Sequence, residues 1–339
     1  MQISVCILAK NEAQTITVLL AQLSRQSLFR LQGVAIDVYV VANGCTDDTA
    51  ARASSAEALL ESTKARLRVH DLPQGGKSRA WNKAVHDLIE PGADFFLFLD
   101  SDITLAHENV LEEMVAALKS ASEALACSGH PVKDISTKQR KNALERFSLS
   151  ISRRSRANGV TNGSLYLVRA AALQDIWLPD QTPGEDGFLN AMLTTAGFTQ
   201  APILGRVISM AEPTHYYQAH RMTDFVVHER RMIVGTMVNR WIFEHLWSLQ
   251  LIKPAGPLLR NWNEQQPGWV DRLVTEKTRN KTWVIPHAIL FGRLHRNGLA
   301  AGWKSPIRMA TGAAATILTI LPAIAANRRL KQLGASEIW

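Results

Sequence analysis

The chain has 339 residues, of which 46% are hydrophobic and 20% are charged. This balance excludes an intrinsically disordered protein and provides enough apolar side chains for a sizeable core. The length fits one large domain, or a domain of about 200 residues with a substantial extension. Cys6, Cys45 and Cys127 are far apart and form no C-x-x-C pair. A disulfide framework or a zinc site is therefore not expected, and a reducing compartment fits.

The formal net charge of +8 is concentrated near the C-terminus. Residues 281–339 contain eight Lys or Arg and a single acid, Glu337, so this segment carries +7. Such an excess favours a polyanionic partner, either nucleic acid or anionic lipid. An uncharged run at 309–326 lies within the same segment. We therefore expect lipid rather than nucleic acid.

The first 130 residues alternate short apolar runs with longer helical patterns. The predicted strands are residues 3–8, 36–41, 67–70 and 95–99, and helices are predicted at 13–26, after Asn43-Gly44 and at 79–89. Strands that alternate with helices at this spacing predict an α/β fold with a mostly parallel central sheet. No basic segment or cleavage pattern precedes the first strand, so no signal peptide is expected.

The pattern becomes looser after about residue 120. Residues 164–168 are a further predicted strand, and a Pro- and Gly-bearing loop at 182–188 leads into a helix. Beyond residue 212 no strand alternation is visible and helical patterns dominate. We therefore predict one domain at 1–212 and a helical C-terminal region at 213–339.

Polar clusters follow three of the predicted strands. They are Lys10-Asn11-Glu12, Asn43-Gly44 and Asp100-Ser101-Asp102. Ligands of parallel α/β sheets bind beyond the carboxyl ends of the strands. We therefore expect the three clusters to border one crevice.

Asp100-Ser101-Asp102 is a candidate metal site. Residues i and i+2 of an extended chain point to the same side, so the two carboxylates can address one ligand. Mg²⁺ and Mn²⁺ take oxygen ligands, commonly one or two carboxylates together with substrate phosphates. The alternative is a turn or helix-capping pair, for which Asp is also favoured.

Several motifs in the same order are similar to those of family 2 glycosyltransferases, which have the GT-A fold. The resemblance covers about residues 1–215 and rests on Ser4–Leu8 with Asn11-Glu12, Val40–Thr49, Gly76–Asn82, Phe98–Asp102 and Gly184-Glu185-Asp186. It implies that residues 1–212 form a GT-A domain that binds a nucleotide-sugar and contains the catalytic site. Each motif is weak alone, and five in order are specific.

The resemblance implies roles at the matching positions. Asp100 is expected near the ribose and the metal-bound waters, and Asp102 is expected to ligate Mg²⁺ or Mn²⁺. Lys77 is expected near the diphosphate or the sugar, where a point charge suits phosphate. A solvated loop lysine is the alternative at Lys77.

The nucleotide is also expected to contact Asn11, Glu12 and Glu185. Asn43 stands where the family has an Asp that commonly faces the nucleobase. An Asn side chain can accept a hydrogen bond from the base and can also donate one. UDP, GDP and dTDP therefore all remain open.

Asp186 is the candidate general base. Inverting transfer needs a carboxylate that takes the proton of the acceptor hydroxyl as its oxygen attacks the anomeric carbon. Glu185 and Asp186 precede an apolar helical pattern, so acids that complement the helix dipole are the alternative. The same dipole is expected to keep Asp186 ionised.

His215 is a candidate further metal ligand, because a late His completes the metal shell in several GT-A enzymes. Neutral imidazole can fill this role. His220 competes for it, and a structural histidine is the alternative at His215.

Residues 309–326 reach the lower bound for a membrane span. Pro322 interrupts this run and basic residues flank both ends, which disfavours a single span. An interfacial or re-entrant segment on anionic headgroups fits better. A span, a buried helix and an oligomer contact remain open. We therefore expect a cytoplasmic protein at the periphery of the cytoplasmic face of the inner membrane.

The predicted function is that of an inverting, metal-dependent glycosyltransferase. It would move a sugar from a nucleotide-diphosphate-sugar to a hydroxyl acceptor that is lipid-linked or membrane-proximal. A sugar-1-phosphate nucleotidylyltransferase is the first alternative, but it normally has a Gly-rich loop after the first strand, where this chain has Ala9-Lys10-Asn11-Glu12. A non-catalytic sugar-binding or membrane scaffold protein is the second.

Overall fold

The computed structural model describes residues 1–142, 145–146, 149, 159–180, 182–218, 225–297 and 306–333. The strands are β1 (Gln2–Ala9), β2 (Ala35–Asn43), β3 (Arg66–Leu72), β4 (Phe95–Asp100), β5 (Ile103–Leu105), β6 (Ala126–Ser128), β7 (Pro131–Lys133), β8 (Leu165–Arg169), β9 (Val207–Ser209) and β10 (His215–Tyr217). The helices are α1 (Ile16–Leu23), α2 (Thr49–Ser55), α3 (Lys77–Lys83), α4 (Val110–Ser120), α5 (Glu185–Thr194), α6 (Phe225–Ser248), α7 (Gly256–Gln265), α8 (Trp269–Thr278), α9 (His287–Asn297) and α10 (Pro306–Leu333).

A seven-stranded sheet with the order β3-β2-β1-β4-β8-β6-β9 forms the centre of the fold. The strands β3, β2, β1 and β4 are parallel neighbours, and β8 runs antiparallel to β4 and β6. The predicted α/β class with a mostly parallel sheet is confirmed. Because β2, β1 and β4 are adjacent and parallel, the polar residues that follow them lie along one edge.

The sheet is covered on both faces, as expected for parallel strands that are apolar throughout. Residues of β1 and β4 pack with α1 and α4 into one apolar core. On the other face, Phe98 stacks between Trp81 of α3 and Tyr166 of β8, and the Trp81 indole N–H donates to the Tyr166 hydroxyl at 2.9 Å. This aromatic layer supports α3, which carries Lys77 at its first turn.

A second, three-stranded sheet has the order β5-β10-β7, and its strand β5 begins immediately after the Asp100-Ser101-Asp102 turn. His215 pairs with Leu105, and Tyr217 pairs with Ile103. The expectation of no strand beyond residue 212 is therefore wrong at β10. Three residues are too few for a visible alternation, so such a strand forms through its partners.

Contacts divide the chain into two compact units. The first comprises Met1–Asp180, Glu185–Ala219 and Gln250–Asn261, and the second comprises Gln181–Gly184, His220–Leu249 and Trp262–Trp339. The first unit thus includes residues 250–261, which belong to the predicted C-terminal region at 213–339. The domain boundary after residue 212 stays a prediction. In the second unit, α10 packs against α6, α8 and α9.

The uncharged run at 309–326 lies inside α10, with Pro322 in the helix. Within the part of the chain that the structure describes, no helix has both the length and the apolarity for crossing a bilayer.

Candidate active site

The turn after β4 places two carboxylates at the carboxyl edge of the large sheet. Asp100 is the last residue of β4 and its side chain is partly buried, whereas Asp102 is exposed. The backbone N–H of Asp100 donates to the carbonyl of Ser164 at 3.0 Å, which fixes the strand end against the loop before β8. Burial raises the pKa of Asp100, and the neighbouring Lys77 partly offsets this effect.

Lys77 lies between two acidic side chains. Its Nζ is 2.7 Å from Asp100 Oδ1 and 3.0 Å from Glu185 Oε1, and it also donates to the carbonyl of Gly163 at 3.4 Å. These contacts occupy all three N–H donors of the ammonium group. The two carboxylates raise the pKa of Lys77 against the opposing effect of burial, so the residue is cationic at neutral pH. Lys77 therefore joins the β4 turn to the start of α5.

Asp186 follows Glu185 in the first turn of α5. Its Oδ1 accepts a hydrogen bond from the backbone N–H of Gly187 at 2.7 Å. A methyl group on Gly163 would lie 3.2 Å from Asp186 Cβ and 3.4 Å from its Oδ2. Burial, followed by the charge of Glu185, raises the pKa of Asp186 to about 6. The predicted dipole effect is therefore outweighed, although Asp186 remains mostly ionised at pH 7.

Asn11 and Asn43 connect the loops that follow β1, β2 and β3. Asn43 is buried, its Nδ2 donates to the carbonyl of Ala9 at 2.9 Å, and its Oδ1 accepts from the Gly76 N–H at 3.3 Å. The Oδ1 of Asn11 accepts from the N–H of Thr46 at 2.8 Å. Both side chains therefore hold the backbone around the predicted nucleotide site.

Gly44 allows two of these loops to approach each other. Its φ is +63°, and a Cβ there would lie 2.5 Å from the backbone nitrogen of Gly75. A larger residue at position 44 would be strained in this conformation and would also collide with the loop that contains Gly75. The Asn43-Gly44 pair thus sets the position of the loop that leads to Lys77.

The edge of the sheet carries more acidic than basic groups at this point. Burial raises the pKa of Glu12, and the charges of Asp102 and Asp100 raise it further. Thr15 donates a hydrogen bond to Glu12 Oε2 at 2.5 Å. Lys77 contacts Asp100 and Glu185, which leaves Asp102 and Glu12 as further negative charge nearby. This arrangement favours the binding of a cation.

The oxygen donors at this edge fit Mg²⁺ or Mn²⁺. Both carboxylates of the β4 turn are hard ligands of the type these ions prefer. Among the described residues, no three His, Cys, Asp or Glu side chains form a group that could hold a metal ion. One or two carboxylates supplemented by substrate phosphates are the usual protein environment of Mg²⁺, and Asp100 and Asp102 match it.

His215 is fully buried, and both of its ring nitrogens face hydroxyl groups. Nε2 is 2.7 Å from Ser164 Oγ, and Nδ1 is 2.9 Å from Thr214 Oγ1. Ser164 itself donates to Asn162, so the Ser164 oxygen accepts from the protonated Nε2. Burial lowers the pKa of His215 to about 3, so the ring is neutral. Coordination of a metal by His215 would require displacement of one of these hydroxyls. His220 lies outside the described residues.

A comparison of the sequence with protein families places the chain in a known family. The model of glycosyl transferase family 2 matches residues 4–177, which is just over half of the chain. The chain belongs to glycosyl transferase family 2. The matched range includes Asn11, Glu12, Asn43, Lys77 and the β4 turn, and it ends before α5. The predicted glycosyltransferase activity is confirmed by this membership, and the nucleotidylyltransferase alternative is set aside.

Solved glycosyltransferase structures are similar to this family 2 chain. A mannosyltransferase from Pyrobaculum calidifontis, in complex with GDP-Man and Mn²⁺, is 17% identical, with 96% of this chain and 86% of that chain covered and a TM-score of 0.51. Glucosyl-3-phosphoglycerate synthase from Mycobacterium tuberculosis, in complex with Mg²⁺ and UDP, is 19% identical over 70% of this chain and 79% of that chain, with a TM-score of 0.48. The first likeness confirms the GT-A fold. No curated protein sequence matches the chain.

Two contributors to the site of this transferase are not predicted from its sequence. The carbonyl of Gly163 accepts from Lys77, and a side chain at Gly163 would meet Asp186. The hydroxyl of Ser164 contacts His215. An Asn-Gly pair immediately before a predicted strand was the available signal, because it marks a tight turn at a strand end.

Proposed function

We propose that this chain is an inverting glycosyltransferase that uses a divalent ion to bind a nucleotide-diphosphate-sugar and transfers the sugar to a hydroxyl acceptor. The observation that carries the proposal is the Lys77 bridge, which holds the carboxylates of Asp100 and Glu185 on one ammonium group. Asp102 is two residues after Asp100, and Asp186 directly follows Glu185. The bridge therefore supports a single site in which Asp102 binds the metal and Asp186 accepts the proton.

Asp186 is proposed as the general base. A carboxylate with a pKa of about 6 is ionised at neutral pH and is a stronger proton acceptor than an ordinary aspartate. It would accept the proton of the acceptor hydroxyl while that oxygen forms a bond to the anomeric carbon. The bond from that carbon to the diphosphate oxygen breaks, and the configuration is inverted.

Asp100 and Asp102 are the proposed residues for Mg²⁺ or Mn²⁺. The likeness in fold to a mannosyltransferase solved with GDP-Man and Mn²⁺ supports this proposal. A bound ion would stabilise negative charge on the departing diphosphate. In this arrangement Lys77 is available to exchange a carboxylate partner for a phosphate oxygen.

Nucleoside diphosphate release from nucleotide-sugars in the presence of Mn²⁺ tests the proposed reaction, and NMR of the product gives its anomeric configuration. We expect the diphosphate to be released and the configuration to be inverted. Retention of configuration would contradict the inverting mechanism, and consumption of pyrophosphate in the reverse direction would contradict sugar transfer.

Replacing Asp102 by Asn is expected to weaken Mn²⁺-dependent donor binding, because a carboxylate ligand becomes a neutral amide. Loss of an outer-shell partner lowers metal affinity about 10–100-fold, and loss of a ligand is expected to lower it at least as much. Titration of Mn²⁺ at a fixed donor concentration measures the change. Asp87→Asn, at an exposed site of an ion pair with Lys83, is the matched control. Equal Mn²⁺ affinity in Asp102→Asn and the wild type would remove Asp102 from the site.

The pH dependence of kcat/KM is expected to follow the ionisation of Asp186. Its pKa is raised to about 6, so the base becomes protonated and inactive as the pH falls below that value. The rate is expected to drop about tenfold per pH unit below about pH 6 and to level off above it. Initial rates between about pH 5 and pH 8 measure the profile. A wild-type profile that stays flat across this range would contradict the assignment.

The remaining assignments stay predictions. They are the contacts of Asn11, Glu12, Asn43 and Glu185 with the nucleotide-sugar, the metal role of His215, the lipid-linked or membrane-proximal acceptor and the location at the cytoplasmic face of the inner membrane.

A further inference from the structure

Among the side chains of α10 whose burial the structure describes, several large apolar ones are exposed, whereas Leu330 and a set of small or polar residues are buried. Ile317 and Leu321 are 66% and 67% exposed, and Ile320 is exposed as well. The buried arc of the helix includes Thr319 and, at its border with Ile320, Asn327, which are 3% and 7% exposed. The surface helix of a water-soluble domain normally has the opposite arrangement, with its apolar stripe towards the core.

Polar contacts on the buried side fix this orientation. The Oδ1 of Asn327 accepts from the N–H of Val284 at 2.8 Å, and its Nδ2 donates to the carbonyl of Thr282 at 3.1 Å. Ala323 and Ala326 are fully buried on the same side. A rotation of α10 that buried Ile317 and Leu321 would expose these alanines and break both hydrogen bonds of Asn327. The apolar face is therefore held outward.

The exposed face of α10 also carries positive charge. Arg328 and Lys331 are exposed. They follow Ile317 by 11 and 14 positions, which are close to three and four full turns of an α-helix. They therefore lie on the same side as the apolar residues, one or more turns further along the helix. α10 contains four Lys or Arg and no Asp or Glu.

We propose that this face of α10, formed by Ile317, Ile320, Leu321, Arg328 and Lys331, binds the surface of an anionic lipid bilayer. An interfacial helix inserts its apolar side chains among the acyl chains near the headgroups, while Lys and Arg bind anionic headgroups. A second copy of the chain fits less well, because α10 contains no Asp or Glu that could pair with Arg328 and Lys331 of another α10. The inference concerns the partner of α10 and does not depend on the proposed transferase mechanism.

Sedimentation of the full chain with vesicles tests the proposal. We expect binding to vesicles of phosphatidylglycerol and phosphatidylcholine, weaker binding at high salt, and little binding to phosphatidylcholine alone. The double variant Ile317→Asn/Leu321→Asn removes the apolar contact, and its matched control is Val18→Asn/Leu204→Asn, at exposed apolar positions of the first unit. We expect the first to bind at least about tenfold more weakly and the control to bind like the wild type.

A second pair of variants tests the charged part of the face and covers the case in which the apolar variant does not fold. Arg328→Glu/Lys331→Glu is expected to weaken vesicle binding at least about tenfold. Its matched control is Arg25→Glu/Lys119→Glu, at exposed sites of the first unit. We expect the control to bind vesicles more tightly than Arg328→Glu/Lys331→Glu. Nucleoside diphosphate release in vesicle-free buffer is expected to be the same in all these variants. Membrane binding and transferase activity can therefore fail separately.

Three results would overturn the proposal. One is an absence of wild-type binding to phosphatidylglycerol vesicles, and another is equal binding by the two α10 variants and their controls. The third is a wild-type dimer in sedimentation equilibrium that Ile317→Asn/Leu321→Asn converts to a monomer while vesicle binding is unchanged. That last result would assign the face to a second copy of the chain.

Discussion

Replacing Asp186 by Asn is expected to lower kcat by a factor of about 10²–10⁴ while donor affinity is retained. Removal of a general base typically reduces a rate by this factor. The amide of Asn fits the same space and can still accept from the Gly187 N–H, but it cannot take up the proton of the acceptor. Steady-state kinetics of nucleoside diphosphate release, combined with direct titration of the donor, separate the loss in kcat from binding.

Asp175→Asn is the matched control for this experiment, because Asp175 is exposed and receives the same substitution. We expect it to have wild-type kinetics. The residual kcat/KM of Asp186→Asn is also expected not to fall as the pH drops below about 6. An Asp186→Asn enzyme with the wild-type kcat would show that another group accepts the proton.

Replacing Lys77 by Met is expected to destabilise the protein by about 3 kcal/mol at neutral pH. Removal of one partner of a buried ion pair leaves the other charge without compensation and typically destabilises by about 3–5 kcal/mol. Here two carboxylates, Asp100 and Glu185, lose their ammonium partner. Urea unfolding of the variant and the wild type measures the difference.

The loss of stability in Lys77→Met is expected to be larger at about pH 8 than at about pH 5. Burial already raises the pKa of Asp100, and Lys77 lowers it, so removal of Lys77 raises this pKa further. A carboxyl group whose pKa is higher in the folded state stabilises that state when protonated and destabilises it as the pH rises through that pKa.

Lys83→Met is the matched control, because Lys83 is in the same helix and forms an exposed i,i+4 pair with Asp87. Such pairs contribute about 0.3–0.5 kcal/mol. Equal stability of Lys77→Met and Lys83→Met, or a loss at Lys77 that does not change with pH, would contradict the proposed role of the bridge.

The long strands of the fold could be predicted from the sequence because they are buried on both faces. The observed β1, Gln2–Ala9, and β4, Phe95–Asp100, extend the predicted runs by one residue at one or both ends. β5, β7 and β10 have three residues each, which is too short for a periodic pattern. Their pairing depends on tertiary contacts rather than on local sequence.

The helix that carries Lys77 shows where local patterns are insufficient. The apolar pattern predicted a helix at 79–89, whereas α3 begins at Lys77 and passes into a π-helical turn at Ala84–Leu88. Its start follows Gly76, whose φ is +130°, a conformation that residues other than glycine rarely adopt. The sequence pattern does not report a change in hydrogen-bond spacing within a helix.

The residue types of the candidate site could be predicted, but their partners could not. The sequence motifs predict Asp102 and Asp186. The contact of Lys77 with Glu185 joins segments that are distant in the sequence, so no local pattern indicates it. The pKa of Asp186 differs from the expectation for the same reason, since it is set by burial, which depends on the neighbours of α5 in the folded chain.

Thermal unfolding with a panel of UDP-, GDP- and dTDP-sugars, each with and without Mn²⁺, tests the central claim most directly. Binding at about 100 times the dissociation constant stabilises the folded state by about 2.7 kcal/mol. We predict that the cognate donor raises the midpoint by several degrees only when Mn²⁺ is present, and that Asp102→Asn clearly reduces this shift. A donor-dependent shift that is the same without the metal, or the same in Asp102→Asn, would contradict a site in which the β4 turn binds the diphosphate through a divalent ion.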